Sequence, residues 1–284
     1  MRLAISALAG LALAGNFAFA QPIDGRLKTI HETATIRVAY RTNSPPFSYL
    51  DAQGRPIGYT VELCERIARS LEAQLNVRLA IKWVPVDERT RFEAIVNETA
   101  DMECGSTTAS LSRLKIVDFS SVVFAESTGV LVKSGRGLFL FNNMAGKNIG
   151  VIAGTTNARA VRDQLAQRNL SATLVELGDR QEGIAALARG DVDGFASDKL
   201  VLLALARAAN LQDVTLLPED LSFEPFAIML PRGDWAFRLA VNTALARVFR
   251  SGEIVGLYTK YFGGVGQGVS NWAGFVFIFG SLPE

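Results

Sequence analysis

One dense run of side chains is suited to holding a small charged molecule: Glu103-Cys104-Gly105-Ser106-Thr107-Thr108, with Arg113 five residues beyond. A glycine lets backbone approach a ligand closely, and hydroxyls and N–H groups clustered at a helix start can hold a carboxylate with help from the helix dipole. Arg113 could add a bidentate partner. Ser and Thr are equally at home as plain helix N-caps, so the run alone leaves both carboxylate binding and capping open. Gly154-Thr155-Thr156 again places glycine ahead of hydroxyls. Acid–base and metal chemistry have little material. His31 is the only histidine, expected as a solvated helix residue, and Cys64 and Cys104 are the only cysteines. Ser-His-Asp, Cys-His and His-rich metal sites are disfavoured, and no metal or cofactor is expected. Two cysteines are too few for a disulfide-stapled scaffold, and whether they pair is open.

The elements that must position these residues alternate. Residues 35–40 have the β-branched, alternating character of a strand, stopped by Asn43-Ser44-Pro45-Pro46, and Asp51-Ala52-Gln53-Gly54 marks a hairpin-like reversal. Val61, Cys64, Ala68, Leu71 and Leu75 recur at helical spacing, and a strand over 77–84 and a helix over 91–97 follow. The second half repeats the order, with strands at 148–151, 173–177 and 194–196 and helices at 157–167 and 181–188. Such alternation predicts an α/β fold with parallel pairing and right-handed crossovers. Residues 95–101 and 187–193 both run from a helix end through a short turn to an aspartate entering a strand. Aligned on Asp101 and Asp193, Ser106 matches Asp198. This echo fits either two related lobes or common αβ grammar. Ligands in open α/β sheets sit beyond the carboxyl ends of the strands, which is where both hydroxyl runs fall.

Residues 1–20 read as a cleaved export signal: Arg2, a short apolar run, then Ala18-Phe19-Ala20. The expected location is periplasmic. The remaining chain is long enough for one large or two medium cores. Once Arg2 leaves with the signal, basic and acidic side chains are equal in number, so nucleic acid is not an expected partner. No linker-like stretch divides the halves. Short crossings at 121–125 and 221–226 would make lobe 1 discontinuous, residues 21–123 plus 226–284, with lobe 2 at 124–225. C-terminal helices at 234–250 and 253–261 would close lobe 1. The apolar end, with Trp272, is too short to span a bilayer and is expected to pack on the surface.

The run from Glu103 to Thr108 with Arg113 resembles the glutamate/aspartate-binding proteins of ABC importers, within the family 3 polar amino acid solute-binding proteins. Similar pieces occur in the same order: Arg41 with Pro46-Phe47-Ser48-Tyr49, Gly58-Tyr59, Arg91 before a helix, Asp118-Phe119-Ser120, Gly154-Thr155-Thr156, Gly190-Asp191-Val192-Asp193, and Asp198. The resemblance covers nearly all of residues 36–262. It implies a two-lobed, hinged type II binding-protein fold closing on one amino acid, and a permease partner; a monomer is expected. Carried over, Arg113 would clamp the α-carboxylate with Thr108 and Thr155. Asp198, main-chain oxygen near Ser106 and the Thr108 hydroxyl would hold the ammonium. Arg41 and Arg91 would face an acidic side chain, with Gly105 giving close approach.

Three positions depart from that pattern. Glu88 stands where such receptors commonly have serine, and would repel an anionic side chain unless an arginine neutralises it or it points outward. Arg180 aligns with a histidine of the second lobe. The cysteine they pair with Cys104 falls at Ile228. Taken alone, Arg41, Arg91 and Arg180 are ordinary surface or salt-bridged arginines, and Asp198 could simply cap the next helix. Rival assignments are a receptor for a neutral amino acid such as glutamine, a periplasmic dehydratase resembling cyclohexadienyl dehydratase with Glu88 as its carboxyl, and a sensory module.

Overall fold

The computed structural model describes residues 23–263 and 271–283; the expected signal, residues 1–20, lies outside them. The chain opens with helix α1 (Gly25–Thr33), strand β1 (Thr35–Arg41) and a small sheet of β2 (Asn43–Ser44), β3 (Ser48–Leu50) and β4 (Pro56–Ile57). Helix α2 (Tyr59–Leu75), strand β5 (Ala80–Val86), helix α3 (Arg91–Val96) and strand β6 (Met102–Cys104) follow. The long strand β7 (Asp118–Glu126) leads directly into β8 (Thr128–Lys133). Then come β9 (Asn148–Ile152), α4 (Thr156–Gln167), β10 (Thr173–Leu177), α5 (Arg180–Arg189), β11 (Gly194–Asp198), α6 (Lys199–Ala208) and β12 (Val214–Leu216). Strand β13 (Glu224–Leu230) returns the chain, and α7 (Trp235–Arg250), α8 (Glu253–Phe262) and α9 (Asn271–Gly280) complete it.

Two five-stranded sheets result, ordered β5-β1-β6-β13-β7 and β10-β9-β11-β8-β12. In each, three parallel strands adjoin antiparallel ones: β13 runs against β6 and β7, and β8 against β11 and β12. The corresponding strands, β5-β1-β6 and β10-β9-β11, share one order, and β6 and β11 occupy the same place in it. The chain leaves the first sheet between Glu126 and Thr128 and returns between Leu216 and Glu224. This is the type II binding-protein architecture: two α/β lobes joined by two crossings.

The expected apolar stripe of α2, Val61, Cys64, Ala68, Leu71 and Leu75, is buried throughout, and Tyr59, Leu63 and Ile67 are buried beside it. Full burial of such side chains stabilises by about 1.5–3 kcal/mol each. The helix ends at Asn76, in the left-handed region at φ 51°, and the Glu72 side chain accepts the Leu79 N–H at 2.8 Å. Residues 77–79 are thereby used in the connection, so β5 starts at Ala80 and not at 77 as the sequence pattern predicts. A disulfide joins Cys64 on α2 to Cys104 at the end of β6, which ties the helix to the strand feeding the Gly105–Thr108 run.

The crossings rest on an aromatic cluster. Phe124 of β7 and Phe226 of β13 pack with Phe47, Tyr59 and Phe262, with ring centroids 4.8–6.4 Å apart, and the Tyr59 hydroxyl donates to Val123 O at 2.9 Å. The C-terminal segment forms a helix that packs through Ala273 and Phe277 while Phe275, Ile278 and Phe279 face outward.

Candidate ligand-binding site

Arg41, Arg91, Ser106, Thr108, Arg113, Thr155, Arg180 and Asp198 are all buried. They come from the carboxyl ends of β1, β6 and β11 and from the adjoining turns and helix starts of both sheets, as expected for ligands in open α/β sheets. Arg41 ends β1. Its backbone N–H donates to Ser48 Oγ at 2.9 Å, its Nη2 reaches Asn43 Oδ1 at 3.2 Å and pairs with Glu88, and its Nε and Nη1 have no partner. Arg91 opens α3 and donates from Nη1 to Thr107 Oγ1 at 2.9 Å, leaving Nε unpartnered. Burial lowers the Arg41 and Arg91 guanidiniums to about 10, reinforced by repulsion from Arg180 and Arg113 respectively.

Thr108 and Arg113 are held together. Arg113 Nη1 donates to Thr108 O at 2.7 Å, and its guanidinium lies over the Phe92 ring. The Thr108 hydroxyl donates to Glu224 Oε2 at 2.5 Å and lies 3.3 Å from the Thr156 hydroxyl, so the two sheets touch here. No α-helix follows the Gly105–Thr108 run. The chain enters a 3-10 turn only at Arg113, so the helix-dipole assistance expected there is absent. Helix-start geometry exists at the second run, where Thr155 accepts the Ala158 N–H at 3.1 Å as the N-cap of α4. Gly105 also has a different local reason. A Cβ there would lie 2.2 Å from Glu103 Oε1 and 2.8 Å from Arg41 Cγ, so glycine is what lets these two charged side chains pack under the run.

Arg180, the first residue of α5, crosses to the other lobe. Its Nη1 donates to Ser44 Oγ at 3.1 Å and pairs with Glu88, while Nη2 meets Asp198 Oδ2 at 3.3 Å and Nε meets Ser197 Oγ at 3.3 Å. Glu88 is therefore turned inward and neutralised by two arginines. Burial pushes its carboxyl up, but Arg180 and Arg41 outweigh that and hold it below the usual range. Asp198 starts α6 but makes no side-chain cap bond. Its Oδ1 accepts from Asn157 Nδ2 at 2.9 Å, and burial pushes its carboxyl up. The ordinary capping role does not apply.

Two residues escaped the sequence argument, and Glu103, the first of the Gly105 run, was given no role of its own there. Glu224 opens β13 inside the second crossing and accepts from hydroxyls of both lobes: Thr108, Thr156 at 2.7 Å, Thr128 at 3.2 Å and Ser222 at 2.6 Å. Asn157 bridges Asp198 to Thr128. Glu103 lies fully buried beneath Gly105, its carboxyl pushed up by burial against the opposing pull of Arg91 and Thr107. The signal for Glu224 was a lone acid in a mostly apolar crossing, two residues after a serine.

What the arrangement can do follows from its unpartnered groups. Among the described residues, Arg41 Nε and Nη1, Arg91 Nε, Ser106 Oγ and both Glu103 carboxyl oxygens are buried polar groups without a hydrogen-bond partner. Such groups are costly unless a polar molecule satisfies them. The resemblances to known proteins agree with that chemistry. The model of the bacterial extracellular solute-binding proteins, family 3, matches residues 36–264. An L-glutamate/L-aspartate-binding protein of Pseudomonas aeruginosa is 34% identical over 246 residues, covering 86% of this chain and 82% of its own. An ancestral arginine-binding protein solved with arginine superposes with a TM-score of 0.73 at 25% identity, covering 81% of this chain and 98% of its own. An ancestral amino acid-binding protein described as a precursor of cyclohexadienyl dehydratase shares the fold, with a TM-score of 0.73 at 24% identity over 84% of this chain and all of its own. With matching sequence along most of its length and matching architecture, the chain belongs to the bacterial extracellular solute-binding proteins of family 3.

Proposed function

We propose that this protein is an extracytoplasmic receptor that captures an amino acid, glutamate or aspartate, between its lobes and delivers it to an ABC importer permease. The observation that carries this is the set of buried, unpartnered groups on Arg41, Arg91 and Ser106, next to the clamp of Arg113 and Thr108. Arg113, Thr108 and Thr155 hold the α-carboxylate, Asp198 holds the ammonium, and Arg41 and Arg91 face the distal group, with Gly105 shaping the floor. The two lobes meet at the crossings, and ligand bridges them in the closed arrangement. The name of the Pseudomonas relative supports the acidic ligand.

Capture, not turnover, fits the cleft. Glu88 is the carboxyl a dehydratase would need, yet Arg41 and Arg180 hold it ionised, which suits it poorly to deliver a proton at neutral pH. The test is calorimetric titration of refolded protein stripped of ligand with glutamate, aspartate, glutamine, asparagine, arginine and prephenate. Saturable binding of an amino acid is expected. It should be lost in Arg113→Ala, whereas Arg41→Ala should weaken acidic ligands selectively; equal, small losses in both variants would sink the assignment, and prephenate consumption would replace it with catalysis.

A further inference from the structure

The cleft gathers four guanidiniums, Arg41, Arg91, Arg113 and Arg180, and four carboxyl groups, Glu88, Glu103, Asp198 and Glu224. Among these, Glu88 alone pairs with an arginine from each lobe. A single oxygen, Oε1, meets Nη2 of Arg41, on the first sheet, and Nη1 of Arg180, at the start of α5. Arg180 reaches Ser44 with the same nitrogen, so the contact draws the second lobe onto the first. A carboxylate between two arginines, one from each lobe, is the arrangement a bridging acidic ligand side chain would make. Here the chain supplies it.

We propose that Glu88 is a specificity-determining residue, an internal counterpart of a ligand's distal carboxylate, which latches the empty cleft through Arg41 and Arg180 and levels its preference between acidic amino acids and their amides. This rests on the receptor reading above. An acidic side chain entering the cleft finds both guanidiniums already sharing one carboxylate and meets a like charge in a dry site, where Coulomb repulsion is strong. An amide has no such conflict. Its oxygen can accept from the unpartnered nitrogens of Arg41 and Arg91, while its NH2 donates to Glu88. Acids retain the stronger charge-assisted bonds to those same nitrogens, so the two classes come out close.

The expectation concerns the ratio of affinities. In calorimetric titrations at pH 7, wild-type protein should bind glutamate and glutamine, and aspartate and asparagine, within about tenfold of one another, equivalent to less than about 1.4 kcal/mol. Glu88→Gln removes the charge and keeps the shape, and should move the ratio toward the acids by about tenfold or more; Glu88→Ser should move it the same way. An unchanged ratio in a folded variant overturns the proposal, as does a wild-type preference for acids beyond about a hundredfold. Should both variants fail to fold, the wild-type ratio still decides, together with small-angle scattering of the empty protein. The latch requires the empty and ligand-bound forms to have the same radius of gyration, and a more expanded empty form overturns it. If wild-type protein binds no amino acid, the receptor reading fails first and takes this one with it. Binding with an unaltered ratio removes only the role of Glu88.

Discussion

Two glutamates show how differently the cleft and the crossing treat a buried carboxyl group. Glu88 in the cleft stays ionised because Arg180 and Arg41 outweigh its desolvation. Glu126 closes β7 at the first crossing, opposite Glu224 in register. Among the described residues it has no salt bridge, and burial, with Asp198 adding to it, pushes its carboxyl up to about 8 against the help of the Ser127 N–H. Depth of burial raises both groups; the cations within reach decide which one keeps its charge. The cleft thus uses its arginines to hold charge for recognition, while at the crossing, with no salt bridge to Glu126 among the described residues, burial raises its carboxyl.

The largest way to break this contrast is to give Glu88 the environment of Glu126. Arg41→Ala removes a guanidinium with no exposed surface and leaves the carboxylate with Arg180 alone. Breaking a buried pair in this way costs about 3–5 kcal/mol, to be read from denaturant unfolding at pH 7. A loss below about 1 kcal/mol, the range of exposed pairs, would mean that water screens the pair.

Glu126→Gln tests the other side. The folded-state carboxyl titrates near 8 and its ordinary value is 4.5, so the folded protein holds an extra proton between those limits. For an acid shifted upward, stability is fully present below the ordinary value and falls as pH rises through the window. The fall is limited to about 1.4 kcal/mol per pH unit. Wild-type stability should therefore decline from pH 5 to pH 8 relative to the variant, whose profile should lack that decline. Parallel profiles would show that Glu126 is ionised throughout.

The contrast also marks what the sequence could convey. Helix and strand order was legible because α2, α4 and α5 carry apolar residues at helical spacing and the strands are β-branched, which is local information. The convergence of Arg41, Arg91, Thr108, Arg113 and Asp198 was legible through their motif context. The state of Glu88 was not, because its second partner, Arg180, stands 92 residues away and touches it only when the two lobes meet. Glu224 was missed for the same reason: three of its four hydroxyl donors, Thr108, Thr128 and Thr156, come from distant segments. The helix expected after Gly105-Ser106-Thr107-Thr108 failed because Thr108 bridges to Phe226 of β13, so the run continues alongside that strand.

Acid should bring Glu88 toward the condition of Glu126 without a mutation. Its folded-state carboxyl is depressed below 4.5, so the stabilisation it gives is present above that value and is lost as pH falls through the lowered one. Empty protein should expand in small-angle scattering as pH falls below the ordinary glutamate value, by an amount that Glu88→Gln abolishes. The smallest effect belongs to an ion pair whose arginine is largely exposed. Arg55 meets Asp51 at 2.7 Å, but its side chain is 72% exposed. The reversal there is held by Asp51 Oδ1 accepting the backbone N–H groups of Gln53 and Arg55, at 2.9 and 2.8 Å, which Arg55→Ala leaves in place. Its melting temperature and ligand affinities should match the wild type. A loss approaching that of Arg41→Ala would mean that the number of ion pairs, and not their burial, governs the stability of this protein.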